Sequence, residues 1–136
     1  MFLDASGVLG IFLEEEERAD LLQRIKDART PLTTSPLAVL ECVTGLSTRA
    51  RISIDEASDI VSAFLAAFKV RNISITPEIG AGAIRAYATY GKRQGTRAKL
   101  NMGDCFAYAC AKNYGLPLLY RGDDFSETDL RYAPDL

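Results

Sequence analysis

Five acidic residues stand where chemistry can use them. Asp4 closes the apolar stretch Met1-Phe2-Leu3, and Glu41 lies inside a helix-like run. Asp104 heads the uncharged run Cys105–Ala111, and Asp123 and Asp124 follow the apolar stretch Leu116–Tyr120. The chain contains no histidine. That excludes Ser-His and Cys-His nucleophilic catalysis and His-ligated zinc. Carboxylates without histidine describe an all-oxygen site for a hard cation, Mg²⁺ or Mn²⁺. Each acid also has an ordinary explanation. Asp104 at the third position of a helix capped by Asn101 would favour the positive end of the helix dipole, worth about 0.3–1 kcal/mol. Asp4, or Ser6 in its place, would cap the next helix. Glu41 would sit in a structural ion pair, since a buried carboxylate needs a cation, a metal or a donor.

The elements that must position these acids alternate between strand and helix. The residues 1–4 read as a short strand, and the apolar run Val8–Leu13 follows. Glu14–Glu17 suits the first turn of a helix continuing to about Ala28. Pro31–Thr34 is a second strand, and Ser35-Pro36 opens a helix with serine as N-cap and proline at the first position. On that helix Leu37, Leu40, Glu41 and Thr44 share one face, which places Glu41 on the inward stripe. Ser53-Ile54-Asp55-Glu56 is a capping box. The apolar stripe after it, Ala57, Ile60, Val61, Phe64, Leu65 and Phe68, exceeds what one helix needs for its own core and predicts a subunit contact. Residues 72–75 read as a third strand, and Thr76-Pro77 caps a helix to about Tyr90. Gly115 stops the Asp104 helix, Leu116–Tyr120 is a buried strand, and residues 127–136 read as a short edge strand or coil. This alternation implies an α/β fold with a mainly parallel sheet. In such a sheet the strand C-termini and the following helix N-termini share one edge, where ligands bind.

Composition narrows the function classes. The chain has 136 residues, 48% hydrophobic, with a net charge of −2, consistent with one domain, residues 1–136, and a proper core. It is not a basic nucleic-acid binder as a whole, so any phosphate contact must come from a local patch. One exists: between Glu78 and Asp104 the chain carries Arg85, Lys92, Arg93, Arg97 and Lys99 and no acid. Beside a metal site this stretch would hold a phosphate backbone, with Tyr87 or Tyr90 available to stack on an unpaired base. Cys42, Cys105 and Cys110 are odd in number and lack CxxC spacing. They read as reduced core cysteines of a cytoplasmic protein. No signal peptide and no membrane-spanning run is apparent.

With these residues in view, the chain resembles the VapC-type toxins of the PIN-domain ribonuclease family. The segments that carry the likeness are Met1-Phe2-Leu3-Asp4-Ala5-Ser6, Glu41 in its helix, and Leu100-Asn101-Met102-Gly103-Asp104-Cys105. They continue with Leu118–Phe125 and then Thr128-Asp129. The resemblance implies a three-layer α/β/α fold and a metal-dependent endoribonuclease with Asp4, Glu41 and Asp104 in its acidic site. It also implies a fourth acid after the last buried strand. Asp123 and Asp124 both stand there, and the Asp124-Phe125 pair favours Asp124. Many relatives carry a histidine just before the LNxGD segment, where this chain has Thr96. The family further implies a cognate VapB-type antitoxin, a toxin homodimer, and structured RNA, tRNA in particular, as substrate.

On this reading Asp4 and Asp104 bind Mg²⁺, or Mn²⁺ in its place, Glu41 and Asp124 complete the shell, and Ser6 orients a ligand or a phosphate oxygen. The alternatives are a related nuclease acting on DNA, a phosphoacceptor receiver domain, and a binding protein whose acids are structural. A receiver would want paired acids after the first strand and an acceptor Asp after the middle strand. Ala5 follows Asp4, and Ser74-Ile75-Thr76 offers no acceptor.

Overall fold

The computed structural model describes residues 1–130, with Glu15 described by its backbone alone. The strands are β1 (Phe2–Leu3), β2 (Thr33–Thr34), β3 (Arg71–Asn72) and β4 (Leu118–Leu119). The helices are α1 (Ala5–Leu13), α2 (Glu15–Asp27), α3 (Pro36–Ala50), α4 (Ile54–Ala67), α5 (Pro77–Tyr90) and α6 (Met102–Tyr114). The sheet has the order β3-β2-β1-β4, and every pairing is parallel. Phe2 is in register with both Thr33 and Leu118, so β1 is central.

Side chains alternate across the sheet, and this divides the core in two. Leu3 and Leu119 face a cluster built with α1, α2, α3 and α4, including Val8, Ile11, Leu21, Val43, Val61 and Phe64. Phe2 and Leu118 face a second cluster with α5 and α6, including Ile79, Ala83, Leu100, Cys110 and Phe125. The result is the expected three-layer α/β/α arrangement. Helix α1 lies close on β4, because a Cβ on Gly7 would come within 2.9 Å of the Leu119 carbonyl oxygen.

Local capping explains where the helices begin. Ser35 Oγ accepts from Ala38 N–H at 3.2 Å with Pro36 at the first position of α3. Ser53 and Glu56 form the capping box of α4. Thr76 Oγ1 accepts from Ile79 N–H at 3.3 Å to start α5. Gly115 ends α6 in the left-handed region at φ 62°.

Two expectations need correction. The inward stripe of α3 is Ala38, Cys42, Val43 and Leu46, whereas Leu40 is 58% exposed and Thr44 is exposed. Glu41 lies at the border of that stripe, half-buried over the strand ends. The α4 stripe is partly spent on its own core: Ala57, Val61 and Phe64 are buried, and Phe64 packs edge-on to Phe12 with centroids 5.3 Å apart, while Ile60 of the same stripe stays 41% exposed. The third strand is Arg71–Asn72, one residue earlier and shorter than expected, with Ile73 N–H still donating to Thr34 O at 2.8 Å. Residues 127–130 form turn and bend, and the rest of the expected tail element lies outside the described residues.

Candidate active site

Asp4 follows β1 directly and caps α1, so the strand and the helix dipole aim it at the sheet's C-terminal edge. Its Oδ2 accepts from Ser6 N–H at 3.0 Å and from the Ser6 hydroxyl at 2.5 Å. Burial holds its carboxyl above the usual carboxylate range, the Ser6 bonds oppose that, and the charge of Asp124 adds to it. Asp4 is thus both a helix cap and a buried acid. Ser6 is the residue that orients it, not a rival cap.

Asp104 has the same double character. Asn101 Oδ1 accepts from Asp104 N–H at 2.9 Å, and Asp104 Oδ2 accepts from Asn101 N–H at 3.0 Å, a reciprocal capping box that uses one carboxylate oxygen. Burial, with the charges of Asp4 and Asp124, pushes its pKa up to about 7, opposed by the Asn101 hydrogen bond and by Lys92. Glu41 is pushed up to about 7 by burial and then by Asp4 and Asp104. Its carboxylate lies against the first turn of α6: a Cβ on Gly103 would stand 2.5 Å from Glu41 Oε2.

Asp124 enters the same fields. Asp124 acts on both Asp4 and Asp104, whereas Asp123 acts on none of the perturbed acids. The loop that carries Asp124 is held at its far end by Phe125, which is fully buried with its ring 5.1 Å from that of Tyr120. Thr128 closes the following turn by donating to Phe125 O at 2.7 Å. Asp129 then binds Lys112 at 2.8 Å and the Tyr108 hydroxyl at 2.5 Å, tying the loop to α6.

Asp4, Glu41, Asp104 and Asp124 therefore share one electrostatic neighbourhood. Among the described residues no three acidic side chains are drawn in to the spacing of a formed metal cage. The donor set still fits a hard cation: carboxylates only, with Asp4 and Asp104 buried, Glu41 half-buried and Asp124 exposed, and with Asp4 and Asp104 each committing one oxygen to a cap. Cys42 beside Glu41 is no rival nucleophile. Burial, then Asp4 and Glu41, raise its thiol far above neutrality.

The basic stretch divides. Lys92 is the cation whose charge reaches Asp104. Its N–H donates to Leu100 O at 3.2 Å, and Leu100 N–H donates to Tyr90 O at 3.0 Å, so a parallel bridge pins it next to the start of α6. Arg93, Arg97 and Lys99 are exposed on the loop between. Arg85 is apart from them. It lines a cleft of about 280 Å³ between α5 and α6, with Glu78, Thr89, Tyr108 and Lys112. Tyr90 is half-buried against Tyr108, ring centroids 5.6 Å apart, at the lining of the same cleft. Tyr87 remains exposed, beside Ile84 and Met102 in an apolar groove between α5 and α6. Two contributors escaped sequence reasoning. Gly103 makes room for Glu41, and its only sequence signal is a glycine in a helix's first turn. Arg121 is visible merely as a cation before the acids.

Comparison with known proteins shows the family and the fold. The PIN domain family model matches residues 1–130. A VapC ribonuclease of Rhizobium meliloti is 42% identical, the match covering 95% of this chain and 98% of that protein. Ribonuclease VapC42 of Mycobacterium tuberculosis is 32% identical, covering 98% of each. Among solved structures, the chain is similar in fold to Mycobacterium tuberculosis VapC20, described as a Sarcin-Ricin loop cleaving toxin. The TM-score is 0.72 at 18% identity, covering 97% of both chains. It is also similar to a chain of a toxin-antitoxin complex from Klebsiella pneumoniae, with a TM-score of 0.70 at 18% identity, covering 98% of this chain and 97% of that one.

Proposed function

Because the chain belongs to the PIN-domain family, as a VapC-type member, we propose that it is the toxin of a toxin–antitoxin pair, an endoribonuclease whose site is Asp4, Glu41, Asp104 and Asp124. The observation that carries this reading is the shared field of those four carboxylates at the C-terminal edge of a parallel sheet, with Glu41 and Asp104 both pushed up to about 7. Perturbed acids gathered in one place mark a functional site.

The family's metal dependence is assigned here to Mg²⁺, with Mn²⁺ as a substitute. Asp4 and Asp104 would hold it, with Glu41 and Asp124 completing the shell. When bound, the ion supplies a water of lowered pKa and positive charge for a crowded phosphate. The chain's own groups do the rest. Ser6 fixes the orientation of Asp4. Lys92, pinned beside Asp104, meets the phosphate at the site, while Arg93, Arg97 and Lys99 hold the RNA backbone further out. Tyr87 is the exposed ring for an unpaired base. Arg85, in its own cleft, serves the RNA only where the substrate extends across α5 and α6.

The substrate is structured RNA, tRNA in the first instance. The partner is a VapB-type antitoxin with a cationic group for the acidic pocket. A second copy of the chain is a further proposed partner. Among the described residues no helix is long and apolar enough to cross a membrane. The three cysteines are free and buried, which fits the reducing cytoplasm where RNA is found.

The test is incubation of the antitoxin-free protein with total RNA and with matched RNA and DNA oligonucleotides, in Mg²⁺, in Mn²⁺ and in chelator. RNA cleavage that needs the ion and is lost in Asp104→Asn is expected. Cleavage of DNA alone, or of RNA in chelator, would overturn the reading.

A further inference from the structure

The residue just before the Gly122–Asp124 loop is bound in a way the site does not explain. Arg121 N–H donates to Ser6 Oγ at 3.1 Å, the same hydroxyl that donates to Asp4. The Arg121 side chain then runs away from the acids, across α1. It passes over Gly10, where a Cβ would stand 3.1 Å from Arg121 Cδ. Its guanidinium ends at the start of α2, with Nε donating to Glu17 Oε2 at 2.8 Å and the terminal nitrogen 3.7 Å from Glu14 Oε2. Glu14 in turn accepts from Arg49 in the last turn of α3. Beyond Arg121, Gly122 at φ 93° turns the chain, and Asp124 brings its charge to Asp4 and Asp104. Phe125, fully buried, anchors the other side.

The Asp124 loop is thus held at two points, Arg121 and Phe125. The Arg121 contacts are part-exposed ion pairs, which contribute little to stability. Position is another matter, because catalytic constellations are sensitive to displacements of well under an ångström. Arg121 is also poorly suited to lend charge to a phosphate, since two glutamates already meet it. Among the described residues Lys92, Arg93, Arg97 and Lys99 have no such ion pair.

We propose that the ion pairs of Arg121 with Glu17 and Glu14 are a latch that sets the Gly122–Asp124 loop. Arg121 is then a positioning residue acting on Asp124 through the backbone. This rests on the four acids being the active site.

The experiment uses the full chain with Mn²⁺ alone as the calorimetric probe, together with kcat and KM on an RNA oligonucleotide. Glu17→Lys repels the guanidinium from a position on α2. Arg121→Ala removes it, and Glu17→Lys with Arg121→Glu in a Glu14→Gln background restores the pair with its signs exchanged, without the repulsion of Glu14. Both single variants should weaken Mn²⁺ binding about tenfold, the size expected for groups that orient metal ligands. They should lower kcat while leaving KM and the melting temperature little changed, and the exchanged pair should recover most of the affinity. If Glu17→Lys binds Mn²⁺ like wild type while Arg121→Ala raises KM, Arg121 is an RNA contact and the latch is wrong. An exchanged pair no better than the single variants would also overturn it. Asp104→Asn separates the two levels. Loss of Mn²⁺ binding there with unaffected latch variants sinks the latch alone, and wild-type Mn²⁺ binding there sinks the acidic site itself.

Discussion

The carboxylate of Glu41 rests on the Cα of Gly103: a methyl group there would come within 2.5 Å of one oxygen and 2.7 Å of the other. One residue comes from the border of the α3 core stripe, the other from the first turn of α6, immediately before Asp104. The missing side chain at 103 is what lets two acids from different helices share a pocket.

Gly103→Ala follows from that contact. The atoms a Cβ would meet are the flexible end of Glu41, so the fold adapts by swinging the carboxylate out. Alanine also suits a helix better than glycine, by up to about 1 kcal/mol. We expect a melting temperature equal to or above wild type and RNA cleavage reduced at least about tenfold, the scale for a misplaced catalytic group. Full activity in the folded variant would show that Glu41 is not needed where it lies.

Asp104→Asn keeps an oxygen able to accept from Asn101 N–H, so the α6 cap survives. The variant removes a buried charge whose pKa is pushed up to about 7 by burial and by Asp4 and Asp124. Cleavage should fall by orders of magnitude with native-like circular dichroism. In chelator near neutral pH the variant should melt above wild type, and Mg²⁺ should raise the wild-type melting temperature more, because binding stabilises the state that holds the ion. A variant melting lower in chelator, with an unchanged response to Mg²⁺, would reduce Asp104 to a helix cap.

The metal-free protein should lose stability as pH rises from about 4 to about 7. Glu41 and Asp104 have folded-state values raised from 4.5 and 3.8 to about 7. The folded state therefore binds more protons than the unfolded chain across that window. The contribution is whole below the unfolded values and is lost as pH climbs through the folded ones, after which the curve flattens. Glu14 and Asp129, held low by Arg49 and Lys112, act only as pH falls below the ordinary carboxylate range. Melts in chelator across this range should slope downward, and Asp104→Asn should flatten the slope.

Arg93, Arg97 and Lys99 are exposed, and among the described residues they have no ion pair. Replacing all three by alanine should weaken RNA binding and reduce its salt dependence by about 0.7 per lost phosphate contact on a single strand. Titrations at several salt concentrations measure it, and an unchanged slope would put the substrate elsewhere. Because Arg85 lies in a separate cleft, Arg85→Ala should change the slope less than Lys92→Ala.

The sequence by itself determined what depends on neighbours along the chain. Asn101, Ser53, Ser35 and Thr76 cap their helices where a side-chain oxygen three residues before an amide predicts it. The order of strands and helices implied a parallel sheet, and a parallel sheet implied that Asp4 and the β4 loop share an edge. Tertiary structure alone decided which helix faces were inward. Along α3, Leu37 and Leu40 lie on nearly the opposite face from Ala38, Cys42 and Val43, so both faces carry apolar side chains. The choice fell to the surface the helix meets, which periodicity cannot contain. The same holds for α4, where Ala57, Val61 and Phe64 are the part of the stripe turned inward and Phe12 of α1 meets Phe64. It holds for Asp123 and Asp124, adjacent in sequence, of which Asp124 is the one whose charge bears on Asp4 and Asp104 in the folded chain. Hydrogen bonds over three residues are written locally. Burial, and the field of one carboxylate on another, belong to residues as much as a hundred positions apart and exist only once the chain has folded.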